Sequence, residues 1–301
     1  MTLYVSKDGK LKEVADKPFK LERDIQVLFE QNLGEVMSLT LVRSEFTIKN
    51  RRIDTLAYDE VTKAFIVIEY KRDKNISVID QGFTYLGLML ENKADFIVEY
   101  NEQLKRNLKR DEVDWSQTRV IFVSTSFTEN QIQATNFKDI AIELWEIKQY
   151  ENGTVVINQI KKSKSAESIK PFAQKNKELQ QVIDEIVVYS EEQHTESTTE
   201  EVAELYEKFK NGILNLADDI EVRPQKKYIA FKKDNTNIAC IKLQQKRLKI
   251  YVGAKIGTLN DSKGIAVDVS EIGHWGTGDY EIDAENDANL EYIMSLIKQV
   301  L

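Results

Sequence analysis

The sequence has little cysteine and histidine. Among 301 residues there are one cysteine, Cys240, and two histidines, His194 and His274. A single cysteine excludes an internal disulfide, and two histidines exclude a histidine-rich zinc site. No apolar run approaches the roughly 20 residues that a helix needs to span a bilayer, and residues 1–14 lack the apolar segment of a signal peptide. These absences predict a cytoplasmic protein and disfavour a membrane transporter.

The chain also has fewer basic than acidic residues. The chain has 42 lysines and arginines against 50 acidic residues, a net charge of −8. This balance argues against nucleic acid covering the whole surface, so any contact with nucleic acid is expected to be local. Hydrophobic residues make up 42% of the chain, enough for a real core, and the length suits one large or two ordinary domains.

Residues 51–71 have the pattern of a β-hairpin. The first strand alternates around Asp54, residues 59–63 are polar turn residues, and residues 64–71 are β-branched and aromatic, as in a strand buried on both faces. Side chains two positions apart share a face, so Glu69 and Lys71 lie on the same side of the second strand. An antiparallel neighbour can bring Asp54 beside them.

These three side chains suit one kind of chemistry. Carboxylate oxygens are the ligands that Mg²⁺ prefers, and the bound ion can activate a water molecule. A nearby lysine can orient that water and offset the charge that develops on a phosphate. Asp54, Glu69 and Lys71 are thus a minimal set for metal-assisted phosphodiester hydrolysis. On this pattern alone the alternative stays open that all three are ordinary surface residues.

A helix is predicted over residues 76–92, with Gln81 and Tyr85 one turn apart on one face. The order of strand, Glu-x-Lys and a helix bearing Gln and Tyr resembles the PD-(D/E)XK nuclease superfamily, which includes restriction endonucleases and RecB-like and NucS-like nucleases. Asp54 stands at the first acid of the motif, Glu69 and Lys71 at (D/E)XK, and Gln81 with Tyr85 at the Q-x-x-x-Y of RecB-like members. Ile53 replaces the usual proline before the first acid.

The resemblance implies an α/β fold, with a restriction-endonuclease-like mixed sheet flanked by helices, and Mg²⁺- or Mn²⁺-dependent hydrolysis of DNA in repair or defence. It implies that Asp54 and Glu69 bind the metal, that Lys71 orients water and stabilises charge, and that Gln81 and Tyr85 position the site or the substrate. Many relatives of this fold cut both strands as dimers, so a homodimer is an open alternative. The form of the DNA is also left open.

The family carries a further acid on the helix that precedes the sheet. Residues 18–37 predict that helix, with Pro18 near its start and apolar residues at helical spacing. The resemblance makes Glu22 a candidate for completing the metal shell. The alternative is that Glu22 is a solvated acid of the first turn, favoured there by the helix dipole.

Two basic stretches are candidates for contact with nucleic acid. One is the run at residues 105–110, near Trp115 in the sequence. The other lies in residues 223–249, which contain nine basic residues and only one acid, Asp234. The alternative for the first is a solvated loop or helix face, and for the second an exposed sheet face kept soluble by lysines. The candidate side chains are Lys105, Arg106, Lys109 and Arg110 in the first stretch and Lys226, Lys227, Lys232 and Lys233 in the second.

The chain is expected to form two domains: residues 1–162 as the nuclease-like domain, a polar and partly helical linker at 163–199, and a smaller α+β accessory domain at 200–301. Further strands of the first domain are expected at 95–99, 119–124, 140–145 and 154–160. The last third resembles a small domain of unknown function appended to predicted nucleases of bacteria and archaea. Two other functions stay open, a nucleic-acid-binding or regulatory protein without turnover and a protein-interaction adaptor.

Overall fold

The computed structural model describes residues 2–72, 77–163, 165–173, 177–233, 236–272 and 276–301. The chain divides into two compact units, Met1–Val188 and Tyr189–Leu301, called here the first and second units. Across the described ranges there is no helix whose length and apolar character would let it span a bilayer.

The first unit is built around a mixed sheet. An N-terminal hairpin, formed by β1 (Leu3–Lys7) and β2 (Lys10–Val14), precedes this sheet. The strands of the sheet are β3 (Thr40–Ile48), β4 (Arg51–Asp59), β5 (Ala64–Lys71), β6 (Arg119–Ser124), β7 (Ile142–Gln149) and β8 (Val155–Ile160). The six-stranded sheet has the order β3-β4-β5-β6-β7-β8. Strands β5, β6 and β7 are parallel to one another, and the remaining pairs are antiparallel.

Helices cover both faces of this sheet. They are α1 (Glu22–Gln31), α2 (Leu33–Met37), α3 (Val78–Glu91), α4 (Lys93–Leu104), α5 (Glu129–Thr135), α6 (Lys170–Ala173) and α7 (Lys177–Glu185). Apolar side chains of α1 and α2 pack on one face, against Ile66 and Ile68 of β5. Those of α3 and α4 pack on the other face, against Phe65 and Val67. The predicted α/β architecture, a mixed sheet flanked by helices, is therefore confirmed, and β5 is buried on both faces as expected.

The predicted strand at 95–99 is wrong, because these residues lie inside α4. Phe96, Ile97 and Tyr100 are buried while Val98 is 53% exposed, a spacing that fits one face of a helix rather than the alternation of a strand. The single helix expected at 18–37 is two helices, α1 and α2, which meet at Asn32.

The segment expected to be a linker differs from the structure. Residues 165–188 belong to the first unit and residues 189–199 to the second. Ile169, Val182, Ile183 and Ile186 are buried in the core of the first unit. Burial of these side chains offsets the entropy of ordering the backbone, so the segment packs despite its polar composition.

The second unit is a sheet with helices on one face. Its elements are α8 (Glu191–Thr195), α9 (Glu200–Leu214), β9 (Glu221–Pro224), β10 (Ile229–Lys233), β11 (Thr236–Leu243), β12 (Leu248–Val252), β13 (Val267–Asp268), β14 (Tyr280–Ala284) and α10 (Leu290–Ile297). The order is β13-β14-β12-β11-β10-β9, and every pair is antiparallel. The sequence predicts three strands here, at 227–231, 238–243 and 248–252, which correspond to β10, β11 and β12, whereas β9, β13 and β14 were not expected. The glycine-rich stretch 274–278 predicts a turn, but its residues His274 and Trp275 lie outside the described residues.

Candidate active site

Asp54 and Glu69 lie together where strands β4 and β5 separate. The antiparallel register runs from Asp59–Ala64 to Thr55–Ile68. Beyond that pair, the Asp54 N–H donates to Oε1 of Glu69 at 3.2 Å, and the Tyr70 N–H donates to Oδ2 of Asp54 at 3.1 Å. Glu69 thus accepts the backbone N–H of Asp54 itself, and Asp54 accepts the backbone N–H of the residue that follows Glu69. This reciprocal arrangement fixes both side chains at the carboxyl end of β5.

Lys71 and two residues of α3 complete the cluster around Glu69. Lys71 Nζ donates to Glu69 Oε2 at 3.2 Å; the lysine side chain is 13% exposed and the glutamate side chain 2%. Gln81 Nε2 donates to the same oxygen at 3.0 Å and to the Tyr85 hydroxyl at 3.2 Å. That hydroxyl donates to the carbonyl of Arg52 at 3.1 Å. All five residues that the sequence motif picked out therefore lie in one connected network.

The environment of the two carboxyl groups raises the pKa of both. Burial is the main cause for Asp54, offset in part by the Tyr70 N–H and by Lys71. Burial is also the main cause for Glu69, followed by repulsion from Asp54, while Lys71 lowers its pKa. The single ammonium group of Lys71 thus has to balance the charges of two acids, and the state in which both acids are ionised is destabilised. A second positive charge at this place would relieve that cost.

The oxygen atoms at this site fit a small divalent cation. Among the residues that the structure describes, Oδ1 of Asp54 accepts no hydrogen bond, and the buried Oε1 of Gln81 has no hydrogen-bond partner. Mg²⁺ is commonly held by one or two carboxylates together with waters and substrate phosphates. Within the described ranges, no three acidic, histidine or cysteine side chains are placed to hold one ion. The protein ligands would then be the two carboxylates.

Glu22 is not brought into this cluster. It is the first residue of α1, and its Oε1 accepts the Arg72 N–H at 2.9 Å. Arg72 Nη1 donates in turn to the carbonyl of Lys20 at 2.5 Å. The carboxylate therefore fastens the start of α1 to the end of β5, one residue beyond Lys71. Its assignment to the metal shell stays a prediction, without support from this placement.

One residue at the site was missed by the sequence analysis. Gln26 of α1 lies on the other face of the sheet, where its Nε2 is 2.9 Å from the carbonyl of Asp54, 3.0 Å from Oε1 of Glu30 and 3.2 Å from Oγ of Ser44. It is buried, although glutamine is usually exposed. Gln26 therefore holds the backbone of Asp54 from behind. The polar residues Glu22, Gln26 and Glu30, four apart on α1, were the signal in the sequence.

The first basic stretch follows α4. Arg106 donates to Oε1 of Glu60 at 2.5 Å and to the Tyr100 hydroxyl at 2.9 Å, so its guanidinium is already paired. Lys105 is exposed and has a left-handed backbone with φ of 54°. Lys109 and Arg110 are exposed at the start of a short 3₁₀ turn.

The second stretch lies on the sheet of the second unit. Lys232 and Lys233 end β10, and Lys233 Nζ is 2.9 Å from Oδ1 of Asp219. Lys226 and Lys227 are in the turn between β9 and β10. Their role in binding nucleic acid stays a prediction.

Comparison with known proteins gives three findings. Residues 191–299 match a family described as a domain of unknown function, DUF5655. A crystal structure of a repair endonuclease from Pyrococcus abyssi aligns with 39% of this chain and 43% of that chain, at 17% identity and a TM-score of 0.23. An uncharacterized protein of Haemophilus influenzae is 56% identical over 301 residues, which cover 100% of this chain and 99% of that protein. The chain therefore belongs to the same family as this Haemophilus influenzae protein.

Proposed function

We propose that the first unit is a metal-dependent nuclease of the PD-(D/E)XK type, which hydrolyses phosphodiester bonds of DNA. The observation that supports this most strongly is the reciprocal contact of Asp54 and Glu69 at the strand end, with Lys71 on Glu69. Burial of two acids beside one lysine costs free energy in the absence of a further cation. A site of this kind is best explained by a ligand that carries positive charge.

Asp54 and Glu69 would hold Mg²⁺ or Mn²⁺, and the unpartnered Oε1 of Gln81 could accept from a water beside it. When bound, such an ion draws charge from a phosphate oxygen and lowers the pKa of water. Lys71 is partly exposed, so its ammonium can reach a substrate phosphate while it stays within 3.2 Å of Glu69. It would orient the attacking water and stabilise the charge that develops on the phosphate.

Gln81 and Tyr85 act through Glu69 in this proposal. Gln81 bridges the Glu69 carboxylate and the Tyr85 hydroxyl, and that hydroxyl is fixed on the backbone of Arg52. This chain of hydrogen bonds connects α3 to β4 and holds Glu69 in one rotamer. Both residues are therefore positioning residues, since they keep a ligand oxygen in place.

One observation favours a protein that binds nucleic acid without turnover. Both oxygens of Glu69 already accept donors from the protein, namely the Asp54 N–H, Lys71 and Gln81. A cation would have to share these oxygens or displace a donor. A binding or regulatory protein on this fold would keep the network as it stands, and its affinity for DNA would not depend on Mg²⁺ or Mn²⁺.

Cleavage of end-labelled single-stranded, duplex and forked DNA with Mg²⁺ or Mn²⁺ tests the proposal. The wild type is expected to cut at least one of these substrates, and Glu69→Gln and Lys71→Met are expected to be slower by a factor on the order of 100 or more. Glu102→Gln is the matched control, because this acid is exposed on α4 and lies outside the cluster. If the wild type cuts none of the substrates, or if the Glu69 and Lys71 variants cut as fast as the wild type, the proposal is wrong.

A further inference from the structure

The N-terminal hairpin carries its lysines on one face. In the register of β1 and β2, Lys7 lies opposite Lys10 and Val5 opposite Lys12. Side chains alternate along a strand, so these four share a face, and Tyr4, Ser6, Leu11 and Glu13 occupy the other. The acid Asp8 is in the turn, where Asp8 and Gly9 both have positive φ, of 51° and 74°. The face with Val5, Lys7, Lys10 and Lys12, called here the lysine face, thus carries three positive charges and no acid.

These three charges have no carboxylate partner among the residues that the structure describes. Like charges directly opposite each other in an antiparallel pair are destabilising, as Lys7 and Lys10 are here. Among the described residues no carboxylate lies within ion-pair distance of Lys7, Lys10 or Lys12. An anionic ligand on this face would remove the repulsion.

The hairpin is also too small to be stable by its own packing. A two-stranded hairpin is marginal in water, and this one exposes 50% of Tyr4, 45% of Val5 and 70% of Leu11. It is held instead by the residues that follow it, through a bridge between Asp16 and Tyr150 and a hydrogen bond of 2.8 Å from the Lys17 N–H to the carbonyl of Gln149. The hairpin is therefore a surface feature rather than part of the core.

Its anchoring point is at the same end of the sheet as the candidate active site. Gln149 ends β7, which runs parallel to β6 and β5, so the carboxyl ends of all three strands lie together. Lys71 is aligned with Ser124, and Ser124 with Glu146. At about 4.8 Å between strands and 3.3 Å per residue, the anchor at Gln149 is about 10 Å to the side of Lys71 and about 10 Å beyond it.

The segment after the hairpin connects it to the site directly. The chain leaves β2 and reaches Lys20 and Glu22, which accept hydrogen bonds from Arg72, the neighbour of Lys71. The anchor at Gln149 is about 15 Å from Lys71, a distance of four to five base-pair steps of about 3.4 Å. A nucleic acid strand at the site could therefore reach the hairpin.

We infer that the lysine face is a contact surface for the phosphate backbone of the nucleic acid that the site would cut. This inference rests on the proposed function for the identity of the ligand. The three positive charges are complementary to a phosphate backbone, and lysines on the strands of the hairpin oppose its pairing with the same hairpin of a second copy of this chain.

The test is binding of a fluorescent 30-nucleotide DNA, single-stranded and duplex, measured by anisotropy in chelator so that no cleavage occurs. The variant carries Lys7→Gln, Lys10→Gln and Lys12→Gln together. The control variant carries Lys138→Gln, Lys170→Gln and Lys255→Gln, three exposed lysines elsewhere, so that the change in net charge is the same. Thermal unfolding of both variants checks that each is folded, and light scattering gives the mass of each.

We expect the lysine-face variant to bind about tenfold or more weakly than the wild type. The slope of log K against log salt should fall by about 2 for single strands, at about 0.7 per phosphate contact, and the control should stay near the wild type. The inference is wrong if both variants lose affinity equally, if neither does, or if the wild type binds no DNA. It is also wrong if the wild type is a dimer that the lysine-face variant alone makes monomeric.

These outcomes separate the inference from the proposed function. Binding through the lysine face by a protein that cuts nothing would leave the lysine face standing as a contact surface for DNA and would refute the nuclease. Cleavage by a wild type whose binding is insensitive to the lysine-face substitutions would leave the nuclease standing and refute the inference.

Discussion

Replacing Asp54 by asparagine is expected to stabilise the metal-free protein at neutral and alkaline pH. Burial raises the pKa of Asp54, and burial together with the charge of Asp54 raises the pKa of Glu69. A carboxyl group whose pKa is higher in the folded protein than in the unfolded chain destabilises the fold above the folded pKa. This penalty disappears as the pH falls below the usual values of 3.8 for Asp and 4.5 for Glu. Asparagine removes one charge and keeps an oxygen for the Tyr70 N–H.

The expected gain in free energy of unfolding is about 1 kcal/mol, because Lys71 already offsets part of the cost of the two charges. For a unit of this size that corresponds to a rise in Tm of about 2–4 °C at pH 8 in chelator, shrinking toward zero near pH 4. Calorimetry of the full chain across this range measures it. Glu102→Gln, at an exposed acid of α4, is the control and should change stability by less than about 0.5 kcal/mol at any pH. A lower Tm for Asp54→Asn at pH 8, or a difference that does not vary with pH, would refute the reasoning.

Three further predictions concern single residues. Tyr85→Phe should lower the free energy of unfolding by about 1–2 kcal/mol in urea titrations, because a Gln81 N–H and a backbone carbonyl lose their partner. Gly278→Ala should cost about 3 kcal/mol or more by the same measurement, because its Cβ would be 1.8 Å from the carbonyl oxygen of Val252 at a φ of +92°. Cys240 is fully buried, which raises its pKa to about 11, so a thiol reagent at pH 8 should react only after denaturant is added.

The hairpin of β4 and β5 could be predicted from the sequence because strand alternation is a local property. A period of two places Glu69 and Lys71 on one face, and the structure brings Asp54 to the same place. The helical spacing of Gln81 and Tyr85 is equally local, and α3 presents both residues to Glu69. What these residues do stays a prediction, since position alone does not establish chemistry.

Features that depend on tertiary packing could not be read from the sequence. The hydrogen bond from Gln26 to the backbone of Asp54 joins a helix to a strand that is distant along the chain. Residues 95–99 form part of a helix because their apolar side chains meet the face of the sheet opposite α1, which a five-residue window does not reveal. The segment around Val182 and Ile183 is ordered by its burial in the first unit, although its composition indicated a linker.

The proposed hydrolysis depends on a cation bound by Asp54 and Glu69, and a measurement of Mn²⁺ binding tests this most directly. Electron paramagnetic resonance counts free Mn²⁺ in a titration of the full chain. We expect one ion per chain at millimolar concentration for the wild type and for the control Glu102→Gln, and a loss of that binding in Asp54→Asn and Glu69→Gln. Equal binding by all four proteins, or none by the wild type, would contradict the assignment of Asp54 and Glu69 as the metal ligands.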